Sequence, residues 1–111
     1  MDKLRERNKK MLAMHRAGKT IGEIAEEVGL SYATVSDRIR EEDSIDTRAR
    51  ATGGMYGKVI SVISIRTYYA LMRAGVYTSE ALDEILQGKQ KRPRLIGEHA
   101  IKEIRDAIKE E

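Results

Sequence analysis

The chain has no cysteine, no phenylalanine and no tryptophan, and a single proline among its 111 residues. Without cysteine there is no disulfide framework and no thiolate metal site. The two histidines, His15 and His99, lie far apart and have no histidine near them, so a metal centre is not expected. Aromatic residues make up only 5% of the chain, which leaves any core aliphatic and modest. No apolar run approaches the roughly 20 residues of a membrane-spanning helix. No signal-peptide pattern opens the sequence, and a cytoplasmic protein that does not meet a membrane is expected.

What remains is rich in Ile, Leu, Ala, Glu, Lys and Arg, the composition of an all-α protein. Charged residues reach 35%, and the formal net charge is +3, with a pI of about 9.2. That balance is compatible with nucleic acid, yet it is also common in plain soluble proteins; where the charge sits decides. The length allows one ordinary domain or two very small ones. The expected organisation is an N-terminal three-helix unit over residues 1–42, a linker over 43–57, and a compact helical domain over 58–111.

The most informative stretch runs from Thr20 to Arg40, TIGEIAEEVGLSYATVSDRIR. Thr20 with Glu23 three residues on forms a capping box, so a helix starts at Ile21. Ile24, Ala25 and Val28 share one face of it, and Gly29 stops it in a left-handed conformation. Leu30 turns back to the core. Ser31 caps a second helix in which Val35 and Ile39 are spaced for burial. That spacing leaves Ser31, Tyr32, Ala33, Ser36, Asp37 and Arg40 on the outward face. Small, polar and basic groups on an exposed helix face suit base-pair edges in a major groove. Lys19, Thr20 and Arg38 flank the face as candidate backbone contacts.

The run HRAGKTIGEIAEEVGLSYATVSDRI resembles the helix-turn-helix of resolvases, transposases and the promoter-binding end of sigma factors. The likeness spans Ile21 to Arg40 and includes Ala25, Gly29 and the apolar positions Ile24, Val28, Leu30, Val35 and Ile39. It implies double-stranded DNA as partner, in a bacterium or its phage. The competing reading is an αα-hairpin packed inside a helical protein, which needs the same caps and spacing.

Before this stretch, Asp2 to Ala17 reads as a first helix, with Leu4, Met11 and Leu12 pointing one way. Asp2 at its start and His15 and Arg16 at its end suit the helix dipole. His15 reads as structural. The basic flank Lys3, Arg5, Arg7, Lys9 and Lys10 is either a solvated helix face or a set of phosphate contacts. After it, Glu41 to Gly57 changes character: an acidic start, a TRAR run and the Gly53-Gly54 pair suggest a linker, part of which is open to a short helix. Arg48 and Arg50 there would either follow a DNA backbone or be solvated.

From Val59 a second pattern begins. Ser64 caps a helix running to Ala74 with Ile65 and Leu71 buried, and Thr78 caps another carrying Leu82, Ile85 and Leu86. Leu95, Ile96 and Gly97 lead into a last helix with Ile101, Ile104 and Ile108 on one face. Short helices joined through glycine turns are of the helix-hairpin-helix type, which aims a helix start at a phosphate.

SIRTYYALMRAGVYTSEAL followed by LIGEHAIKEIRDAI is similar to the C-terminal domain of the bacterial RNA polymerase α subunit, over about residues 60–109. The resemblance implies that Arg66 is a minor-groove arginine, Gly97 the hairpin glycine, and Glu103 the acid of the last helix. Gly97 and the residues after it would hold phosphates. The chain departs from the family at three polar positions: Tyr69 replaces an asparagine, and His99 and Ala100 replace a lysine and a serine. Arg66 keeps the charge that suits a narrow A·T-rich groove, while His99 is a weaker phosphate contact than lysine. The basic loop Lys89, Lys91, Arg92 and Arg94 offsets part of that loss. Arg66 has a surface ion pair as its alternative role, and Tyr69 is expected to pack or to line a rim.

Two functions are open to such a chain. One is a small transcription regulator with two DNA-touching modules, in which tethering strengthens the second contact. The other is a protein-interaction adaptor that imitates the polymerase α domain and binds RNA polymerase or a sigma factor. No Ser/His/Asp arrangement, carboxylate metal cluster or phosphate-binding glycine loop is present, so no catalysis and no cofactor are expected. No heptad pattern argues for a coiled coil, and the oligomeric state is left open.

Overall fold

Seven helices run through the residues that a computed structural model of the protein describes, 2–88 and 96–109. They are α1 (Lys3–Arg16), α2 (Ile21–Val28), α3 (Tyr32–Thr52), α4 (Gly54–Ile60), α5 (Ile65–Arg73), α6 (Ser79–Leu86) and α7 (Glu98–Lys109). No strand occurs among the described residues, so the fold is all-α. No helix among them is long and apolar enough to cross a membrane.

The local signals of the sequence set most helix ends. In α2 the Thr20 and Glu23 side chains each accept the other's backbone N–H, both at 3.1 Å. Gly29 closes the helix at φ 75°, where a side chain would be strained. Ser31, Ser64 and Thr78 cap α3, α5 and α6 through their side-chain oxygens. Asp2 caps α1, accepting from the N–H groups of Leu4 and Arg5.

The expected linker over 43–57 is not a coil. Helix α3 continues for 21 residues to Thr52, and α4 begins at Gly54. The run 41–52 is polar enough to read as solvated, but Glu42, Ile45 and Ala49 recur at helical spacing and are all buried. Asp46 and Arg50, four residues apart, pair at 3.1 Å on the outside, in the favourable acid-first order. Burial of one stripe makes helix where polarity alone suggests linker.

This long helix belongs to two apolar cores. Val35 and Ile39 join Met11, Leu12, Ile24 and Ala25 in the first. Ile45 and Ala49 join a larger second core with Tyr56, Val59, Ile60, Ile63, Leu71, Leu82, Ile96 and Ile104. Ala49 also meets α4 closely: a Cβ on Gly57 would stand 2.5 Å from its carbonyl oxygen. Tyr56, fully buried, donates its hydroxyl hydrogen to the Val76 carbonyl at 2.7 Å.

In α1 the expected inward residue Leu4 is 58% exposed, and its neighbour Arg5 is fully buried instead. Arg5 forks onto Glu42 at 2.7 and 2.8 Å and donates to the Ile60 and Ile63 carbonyls at 3.0 and 2.6 Å. It cannot serve as a phosphate contact. The face of α1 that passes Arg5, Asn8, Met11 and Leu12 points inward, and an arginine fits there because protein acceptors take four bonds from its five N–H donors. Lys9, on the same helix, is half-buried, and its pKa is lowered by loss of solvent.

Candidate nucleic-acid interface

The first half of α3 rests on Val35 and Ile39 and turns a polar ridge outward. Tyr32 is 63% exposed, and Ser31, Ala33, Asp37 and Arg40 are exposed too. Ser36 is half-buried, because it leans into a groove that Leu12, His15, Ile21, Ile39 and Arg40 also line. The outward face expected from spacing is therefore open, with Ala33, Asp37 and Arg40 as its crest and Ser36 on its flank.

The charges on this ridge are held loosely. Arg40 lies 3.8 Å from Asp37, an exposed pair worth little against a ligand, and Arg38 lies 3.7 Å from the half-buried Glu41. Lys19 is more engaged, since its ammonium donates to Glu27 at 2.7 Å, which raises its pKa and keeps it charged. The Thr20 hydroxyl is occupied by the Glu23 N–H. The Ser31 hydroxyl accepts the Thr34 N–H at 3.1 Å and donates to the Thr34 hydroxyl at 2.8 Å. Thr20 and Ser31 thus serve first as helix caps.

A second surface forms where the starts of α5 and α7 meet. Arg66, Gly97 and His99 line one shallow depression of about 270 Å³ together with Ser64, Thr67 and Ala100. Residues more than 30 apart in the chain are brought together here. Arg66 is exposed and has no ion pair among the described residues. Glu103 is occupied elsewhere: its carboxylate accepts from the Ser64 N–H, the Ser64 hydroxyl and the Thr67 hydroxyl, and so caps α5 from the neighbouring helix. His99 also borders a depression lined by Asp2, Glu103 and Asp106, an acidic setting for a phosphate contact. The candidate contacts Lys91, Arg92 and Arg94, with Lys89, lie outside the described residues.

The sequence leaves unseen how these two surfaces are related. The Tyr69 hydroxyl on α5 donates to Glu41 Oε2 at 2.8 Å, and Glu41 directly follows Arg40 on α3. That bond to a carboxylate, with burial behind it, pushes the Tyr69 pKa up to about 12. Tyr69 is 39% exposed and stands edge-on to Tyr68 at 5.3 Å, a rim residue tying one helix to the other. No signal in the sequence pairs Tyr69 with Glu41, which lies 28 positions away.

Compared with models of protein families, with curated proteins and with solved structures, the chain matches none.

Proposed function

We propose that this chain is a small bacterial or phage DNA-binding transcription regulator that acts by binding and not by catalysis. In this reading α2 and α3 form a helix-turn-helix, and Tyr32, Ala33, Ser36, Asp37 and Arg40 meet base edges in a major groove. The observation that carries it is the open crest of Ala33, Asp37 and Arg40 on a doubly capped, well-founded helix. Asp37 can accept from a cytosine amino group, and Arg40 can pair with guanine; each good contact discriminates by about 1–3 kcal/mol. Arg66, with Gly97 and the start of α7, grips an adjacent minor groove and backbone in a helix-hairpin-helix-like manner.

Selection of bound duplexes from a random pool by the full chain tests the proposal. A shared sequence should emerge, Asp37→Ala should relax it at one position, and Arg66→Ala should weaken binding to every duplex. A pool that returns unenriched would end it.

A second reading is an adaptor that binds RNA polymerase or a sigma factor. The acids around His99 favour it, because Asp2, Glu103 and Asp106 repel a phosphate but suit a basic protein surface. Capture of purified polymerase that survives Arg66→Ala, without duplex enrichment, would establish the adaptor in place of the regulator.

A further inference from the structure

Helix α3 is tied at two levels, once to α5 and once to the turn that follows it. Tyr69 bonds Glu41 at the first, and the Arg48 guanidinium sits over the Tyr77 ring, 5.9 Å from its centroid, at the second. Glu41 and Arg48 are seven residues apart, so the two ties are about 10 Å apart along the helix. On α5 the buried positions are Thr67, Tyr68 and Leu71, which turns Arg66, Tyr69 and Arg73 to the outside. Arg38 and Arg48 are exposed on the adjoining side of α3.

The result is a strip of four arginines and two tyrosines. Arg48, Arg66 and Arg73 have no ion pair among the described residues, and Arg38 only the long contact to Glu41. Glu41, tied into the strip, is half-buried and bonded to Tyr69, so one of its oxygens faces the ring hydroxyl and not the arginines. The Tyr69 and Tyr77 hydroxyls are taken by Glu41 and the Met72 carbonyl, so the guanidinium groups carry the strip; such unpaired groups hold phosphates and fix a protein's register on a duplex.

We infer that this strip, with Arg48 and Arg73 as its principal cations, is a phosphodiester-backbone contact that extends the DNA interface beyond the α3 crest and the Arg66 depression. The inference rests on the DNA-binding reading and adds to it a set of contacts that carry affinity without sequence preference.

Binding of the full chain to its selected duplex, measured over a series of salt concentrations, tests it. Arg73→Ala and Arg48→Ala should each weaken binding to all duplexes alike and lower the salt slope by about one. Base preference should stay as in the parent, and circular dichroism should show the same helix content. The double variant Arg48→Lys/Arg73→Lys should recover most of the slope, since lysine keeps the charge. Parent-like affinity and slope in both alanine variants, with Asp37→Ala still relaxing the site, would overturn the strip and leave the DNA reading standing. If the parent enriches no duplex, the DNA reading and the strip fall together. If it instead holds a polyglutamate peptide that Arg73→Ala no longer binds, the strip serves an acidic protein and the inference is wrong.

Discussion

Arg5 and Glu42 form a two-pronged ion pair with side chains 0% and 2% exposed, and the same guanidinium reaches two carbonyls at the end of α4 and the turn beyond it. One residue of α1 thereby fastens α3 and the following segment into a single unit. Glu42 lies between Ile39 of the first apolar core and Ile45 of the second.

Breaking that pair leaves a charge buried without a partner. Glu42→Ala and Arg5→Ala should each cost about 3–5 kcal/mol of folding stability, measured by urea unfolding. Arg5→Lys should cost nearly as much, because one ammonium cannot replace the fork and also meet both carbonyls. Exchanging both partners together for Met and Leu should be much milder. A loss below 1 kcal/mol in either single variant would mean that water reaches the site.

Gly57 is where α4 comes closest to α3. A Cβ there would stand 2.5 Å from the Ala49 carbonyl oxygen, and backbone cannot yield as a side chain can. Gly57→Ala should lower stability by about 1–3 kcal/mol, although alanine favours helix. A melting temperature that rises would show that the helices have room to part.

Continuity of α3 has a consequence for any duplex the protein binds. Under the proposed function, the crest at Asp37 and the depression at Arg66 are joined through helix and the Tyr69–Glu41 bond, where a flexible linker would let their separation vary. One base pair inserted between the two contacted segments turns them by about one tenth of the helical repeat. Affinity should fall tenfold or more, as read by competition with the parent site. Unchanged affinity would mean that only one surface touches DNA.

Two tyrosines should ionise late. Burial holds Tyr56 and the Glu41 bond holds Tyr69, each near 12 against an ordinary 10.0. Each keeps its proton more tightly folded than unfolded, so this contribution to stability is complete below pH 10 and is lost as pH rises toward 12. Absorbance at alkaline pH should show two delayed phenol transitions, and Tyr69→Phe should remove one. All five tyrosines titrating together in the folded protein would contradict both environments.

The helices that announce themselves in the sequence are those with caps and clean spacing. Thr20, Ser31, Ser64 and Thr78 start helices where hydroxyl caps are expected, and Ile24, Val35, Leu71, Leu82 and Ile104 are buried as their periodicity requires. The exposure of Ala33, Asp37 and Arg40 follows from the same arithmetic. Ile45 and Ala49, four residues apart, carry a weaker signal for the rest of α3 that the surrounding acids and arginines obscure.

What the amino-acid sequence determines alone is therefore local: where backbone donors find a cap, where glycine ends a turn, and which side of each short helix is apolar. The tertiary structure decides whatever depends on partners far along the chain. It buries Arg5 and leaves Leu4 outside, because an acceptor set for a guanidinium comes from residues 37 to 58 positions away. It carries α3 through a polar stretch, because a stripe of three residues finds a second core to cover it. Caps and spacing act within one turn of helix, whereas burial of a charge depends on what the fold brings alongside.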